Sequence, residues 1–136
     1  MALFAAYFWG DMIHDDFWDY SIHIVYGVDI YEFIDNLSVD QEVKTELMSV
    51  EWDSSVYGRS VILPDGRIFI WLNDGCGYGT IAHEAVHVAR HILHNVQGIP
   101  LTDDTEEVYA RMIGKIVEDI THDTTTARRS GIKKML

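Results

Sequence analysis

Two histidines and a glutamate within Thr80-Ile81-Ala82-His83-Glu84-Ala85-Val86-His87 have the residue types and the spacing of a hydrolytic metal site, H-E-x-x-H. On a helix, His83 and His87 stand four residues apart, so their imidazoles share one face and can meet one ion. Glu84 is turned about 100° away and still flanks that ion. Two neutral imidazoles suit the borderline-soft Zn²⁺, and a carboxylate beside them is the general base that its bound water needs.

Two histidines hold zinc weakly, and a hydrolytic site needs a third protein ligand with a fourth position left open. A third histidine six residues after His87 would give the metzincin pattern, but that position is Leu93, and Arg90 stands where the pattern needs glycine. His91 and His94 lie near the same face, yet His91 is roughly 12 Å along the axis from His83, too far for one tetrahedral ion on a straight helix. The remaining candidates are Glu106 and Glu107, at the start of the next apolar-periodic stretch. At ~100° per residue, Glu106 lies about 50° from the centre of that apolar stripe and Glu107 about 150°. Glu106 is therefore expected inward and preferred as ligand, with Glu107 behind it. The competing reading has Glu106 close a capping box with Asp103, both glutamates complementing the helix dipole.

The elements that must position these residues follow from pattern. Ser60-Val61-Ile62-Leu63 and Arg67-Ile68-Phe69-Ile70-Trp71-Leu72 flank Pro64-Asp65-Gly66, a turn in which proline fixes φ and glycine accepts a positive φ, so they read as a strand pair. The second strand leads through Asn73–Gly79 into a helix from about Thr80 to Gln97, stopped by Gly98-Ile99-Pro100. The glycines of the link fall as G-x-G-x-G with no Lys-Ser/Thr pair after them, which favours a tight turn over a phosphate cradle. A further helix begins near Asp103 or Asp104 and carries Val108, Tyr109, Ala110, Met112, Ile113, Ile116, Val117 and Ile120 at helical spacing, as far as His122.

Earlier in the chain, Tyr20–Tyr26 is β-branched and aromatic and closes on Gly27, so it reads as a strand in which His23 is structural. Asp29 is placed to cap a short helix through Leu37, with Ile30, Phe33, Ile34 and Leu37 inward. Ser38-Val39-Asp40-Gln41 has capping-box spacing and opens another helix to about Val50. Residues 4–9 form an apolar strand or anchor, and Asp11–Asp16 reads as a polar, acidic connection, with His14, Asp15, Asp16 and Asp19 solvated rather than metal-binding.

A chain of 136 residues, 48 % hydrophobic and 12 % aromatic, has the length and composition of one globular domain. Its 22 acidic against 10 basic residues, for a formal charge of −12, argue against nucleic acid as the main ligand and hint at basic substrates. Four of the basic residues, Arg128, Arg129, Lys133 and Lys134, lie in a tail from about 124 to 136. Cys76 is the one cysteine and reads as a packed side chain; with no internal disulfide possible, a reducing, cytoplasmic setting is expected. The apolar start, cut short by Gly10-Asp11, is too brief for a secretion signal or a membrane span.

Gly79–His87 followed by Asp104-Thr105-Glu106-Glu107-Val108-Tyr109-Ala110 resembles the gluzincin-type zincins, and the brevity of the chain is similar to that of small zinc peptidases encoded by bacteriophages and prophages. The resemblance covers about residues 67–120; the N-terminal half carries no matching motif, and the large second domain is missing. It implies a single α+β, minimal zincin-like domain: a small, mostly antiparallel sheet packed on the metal-binding helix and on a second helix carrying the third ligand. It further implies that Arg67–Leu72 edges the cleft for a peptide or protein substrate. In the implied mechanism His83, His87 and Glu106 hold Zn²⁺, and Glu84 takes the water's proton and delivers it to the leaving amine. A donor to the oxyanion is needed as well, for which Tyr109, Tyr78 and His122 are candidates. The alternative is a non-catalytic protein, stabilised by zinc, that binds a host protein through its acidic surface. Such a site needs no Glu84 and would be closed by Cys76 or His91 as a fourth ligand.

Overall fold

Ile68–Leu72 is apolar on both faces, and Tyr20–Tyr26 is apolar on one, with half-buried Ser21 and His23 beside Val25 on the other, the patterns of strands inside a covered sheet. The computed structural model, which describes residues 12–49 and 57–122, places these two strands side by side and parallel at the centre of a four-stranded mixed sheet. In chain order the elements are β1 (Met12–Asp15), β2 (Tyr20–Tyr26), α1 (Ile30–Asp35), α2 (Gln41–Met48), β3 (Gly58–Ile62), β4 (Ile68–Leu72), α3 (Tyr78–Arg90), a π-helical segment (His91–Val96) and α4 (Glu106–His122). The sheet order is β1-β2-β4-β3, with β1 antiparallel to β2 and β3 antiparallel to β4. The expected α+β class holds.

Two cores lie on opposite faces of this sheet. Ile22, Ile24, Ile70 and Leu72 face Ile81, Ala85, Val88, Leu93, Ile116 and Ile120, which pins α3, the π-helical segment and α4 to one side. Val25, Val61, Phe69 and Trp71 face Ile30, Phe33, Ile34 and Leu37, which pins the short helices to the other. Asp29 caps α1 as its position in sequence suggests, its Oδ2 accepting from the N–H groups of Tyr31 and Glu32 at 3.1 Å each. Among the described residues no helix is long and apolar enough to cross a membrane.

Several expectations shift. Met12–Asp15 is an edge strand, not a loop: the ladder to β2 satisfies its backbone, and Asp15 is buried, its carboxylate accepting from Trp18 N–H at 2.9 Å where the turn begins. α2 starts at Gln41 with Asp40 before it and no side-chain cap, and the carbonyl of Ser38 accepts from the Arg67 guanidinium at 2.8 Å. The apolar stretch 4–9, Val50 and the basic tail lie outside the described residues.

The long histidine helix changes winding halfway. From His91 the hydrogen bonding becomes π-type, with Gln97 N–H reaching the carbonyl of Ile92 at 3.0 Å. Gly98, at φ +72°, ends it, and Ile99 N–H returns to the carbonyl of Leu93 at 2.8 Å.

Ile70 is fully buried on the central strand β4. Replacing it by alanine should destabilise the protein by about 2–5 kcal/mol, read as a lower urea midpoint at unchanged slope; an unchanged midpoint would contradict the two-faced sheet.

Candidate active site

The site begins at the link between β4 and α3. Tyr26, buried at the end of β2, donates its hydroxyl to Asp74 at 3.0 Å and accepts from Gly75 N–H at 3.4 Å. Burial pushes this phenol up to about 12; the Gly75 N–H opposes it and the neighbouring Asp74 carboxylate adds to it, so it stays a neutral clamp. Gly75 adopts φ +84°, a turn that glycine makes without strain. The link is thereby a tight turn that launches α3 from Tyr78.

α3 buries Ile81, Ala85, Val88 and Ala89 against the sheet and leaves His83 and His87 exposed on its outer flank. Their Nε2 atoms stand 3.3 Å apart. Two nitrogens bound to one tetrahedral zinc, each about 2.05 Å from it, are separated by about 3.3 Å, so the pair is spaced as two ligands of a single ion. Glu84 lies beneath them, 5 % exposed, with Oε2 3.9 Å from His83 Nε2. Its Oε1 accepts from the Ser60 hydroxyl at 2.8 Å. A carboxylate taken out of water is costly unless hydrogen-bonded, and Ser60 supplies that bond.

Ser60 belongs to β3, so β3, not Arg67–Leu72, is the strand beside the histidines. The expected edging strand is β4, which sits in the sheet interior between β2 and β3. Strand pleating puts Gly58 and Ser60 on the same face, toward α3. A Cβ on Gly58 would come within 2.6 Å of Thr80 Cγ2 and 3.2 Å of Glu84 Cγ, so the helix seats this closely only because residue 58 has no side chain. The resulting cleft, about 510 Å³, is lined by Gly58, Arg59, Ser60, Ile62, His83, Glu84, His87, Arg90, His91 and Asn95.

Glu106 and Glu107 do not line this cleft, and among the described residues no group of three His, Cys, Asp or Glu side chains is gathered to hold a metal. Glu106 is exposed, contrary to the expected inward orientation. The buried stripe of α4 is Tyr109, Met112, Ile116 and Ile120, while Val108, Ile113 and Val117 are only half-buried. That narrower stripe puts Glu106 about 75° from its centre. Thr105 takes the inward place and closes the preceding turn, accepting from Thr102 N–H at 2.8 Å and donating to the carbonyl of Pro100. Glu107 is paired with Arg111 at 3.2 Å.

Tyr109, a candidate oxyanion donor, is buried and donates its hydroxyl to the carbonyl of Ile99 at 2.6 Å, holding the connection between the helices; it does not line the cleft. Tyr78 packs on the core and His122 ends α4, both outside the cleft lining. Cys76 is buried with its thiol pushed up to about 11, mainly by burial, as suits a packed residue. His91 reaches the cleft where the helix rewinds, and burial lowers its pKa, favouring the neutral imidazole. His23 stacks on Phe69 with centroids 4.8 Å apart, a structural histidine.

Gly58, Ser60, Arg90 and Asn95 are the residues that sequence reasoning missed. Period-2 alternation could have paired Gly58 with Ser60, but nothing local says which helix they face. No family model, curated protein or solved structure matches the chain, so the reading of the site rests on its own residues.

Gly58→Ala should force α3 off β3 and destabilise the protein by about 1–3 kcal/mol. A thermal melt reads the effect, and a melting temperature equal to wild type would show that the helix does not depend on this contact.

Proposed function

We propose that the protein is a zinc-dependent metallopeptidase, with His83 and His87 as nitrogen ligands and Glu84 as general base. The 3.3 Å spacing of the two imidazole nitrogens above a buried carboxylate carries this reading. Zinc, when bound, polarises the scissile carbonyl and acidifies the attacking water. Glu84 accepts the water's proton and hands it to the leaving amine, while the Ser60 hydroxyl fixes the carboxylate's direction. β3 forms one wall of the substrate cleft.

Glu106 is the proposed third ligand. It starts α4, the helix packed along α3, and among the described residues no hydrogen bond or ion pair engages its carboxylate, whereas Glu107 is paired with Arg111. Glu106 lies outside the cleft lining, so ligation requires its carboxylate to turn from solvent toward the histidines. A non-catalytic protein acting through its acidic surface is the competing reading, favoured by the lack, among the described residues, of a third side chain gathered with His83 and His87 to hold a metal. Of the two fourth ligands that a closed structural site would use, Cys76 is buried outside the cleft lining, whereas His91 lines the cleft.

Glu84→Gln should retain zinc and the fold while lowering cleavage of a mixed peptide library by a factor of about 100 to 10,000; cleavage at the wild-type rate would remove Glu84 as base. Glu106→Gln should weaken zinc binding by at least about tenfold, with Glu107→Gln near wild type. Competition with a chromogenic chelator measures both, and the reverse order would move the ligand to Glu107.

A further inference from the structure

The cleft reverses the charge balance of the chain around it. The chain carries 22 acidic and 10 basic side chains, yet the cleft lining holds two arginines, Arg59 and Arg90, against one carboxylate, Glu84. That carboxylate is buried and already accepts from Ser60. Arg59 alternates with Ser60 across the pleat and is half-buried, its Nε fully so, whereas Arg90 is exposed.

Arg90 lies seven residues beyond His83 and three beyond His87, within about 20° of His83 on the helix face and roughly 4.5 Å further along the axis than His87. Its guanidinium is exposed, and among the described residues no hydrogen bond or ion pair engages it. The other described arginines are all engaged: Arg67 with Asp65, Arg111 with Glu107, and Arg59 within its own surroundings. A guanidinium left open beside the ligand pair is a fork that matches a carboxylate with two parallel hydrogen bonds.

We infer that Arg90 selects substrates carrying a carboxylate close to the cleaved bond, from an acidic side chain or from the substrate's C-terminus. The inference rests on the peptidase reading of the same site and names its substrate class. It reverses the expectation of basic substrates drawn from net charge. Field from the distant acidic surface is screened over about 8 Å at physiological salt, whereas a contact ion pair in the cleft is not.

The test is fluorescence anisotropy of labelled alanine-based hexapeptides on the full chain, supplemented with zinc. The peptides carry one Glu, Gln or Lys, each with a free or an amidated C-terminus. The wild type should bind a carboxylate-bearing peptide about tenfold more tightly than the amidated Gln peptide. Loss of that preference on amidation identifies the terminal carboxylate, and loss on the Glu-to-Gln change the side chain. Arg90→Gln should bring the ratio within about twofold, and Arg90→Glu should invert it toward the Lys peptide. Equal affinities in the wild type, binding of none of the peptides, or a preference that survives in Arg90→Gln would overturn the inference. Failure of the peptidase reading is seen separately, as the expected binding ratio with no cleavage of the bound peptide.

Discussion

The arrangement depends on the seating of α3 against β3. At the point of closest approach residue 58 must be glycine, and one turn along the helix a carboxylate is buried under a serine hydroxyl from the same strand. These two contacts fix the rotation of α3 about its axis. With Glu84 turned toward β3, His83 and His87 are left on the outer flank with their nitrogens converging. A helix rotated to expose Glu84 would bring a histidine toward the sheet and cost the apolar burial of Ile81, Ala85 and Val88.

The rest of the fold holds that contact in place. β4 is buried on both faces, so each of its side chains ties a helix layer to the sheet, and β3 is fixed to it through antiparallel pairing from Gly58↔Leu72 to Ile62↔Ile68. Tyr26 anchors the turn from which α3 departs, and Tyr109 anchors the connection at its far end. Both are buried phenols whose hydroxyls are spent on backbone and loop groups, and neither lines the cleft. The change to π winding at His91 keeps Ile92 and Leu93 in the core and carries His91 and Asn95 along the same cleft.

Much of this was legible in the sequence because it is local. The Pro64-Asp65-Gly66 turn, the cap at Asp29, the stop at Gly98 and the apolar spacing of α4 each depend on a few neighbouring residues whose chemistry has one good solution. What was not legible depends on long-range geometry. Ser60 and Glu84 are 24 residues apart, and the order β1-β2-β4-β3, which puts β3 and not β4 beside the histidines, is a property of the whole sheet. Glu106 failed as an inward residue because the wheel weighted exposed Ala110 and half-buried Val108, Ile113 and Val117 as fully buried, an error largest at a helix end. Met12–Asp15 was unreadable as a strand because an edge strand need not alternate: apolar Met12 is exposed and acidic Asp15 is buried, while the backbone pairs with β2.

The central proposal is that His83 and His87 share one zinc ion above Glu84. The most direct measurement is the zinc content of the purified protein by elemental analysis, beside His83→Ala and His87→Ala. The account predicts about one zinc per wild-type chain and none in either variant. A wild-type protein that takes up no zinc on titration, or variants that bind it as well as wild type, would contradict it.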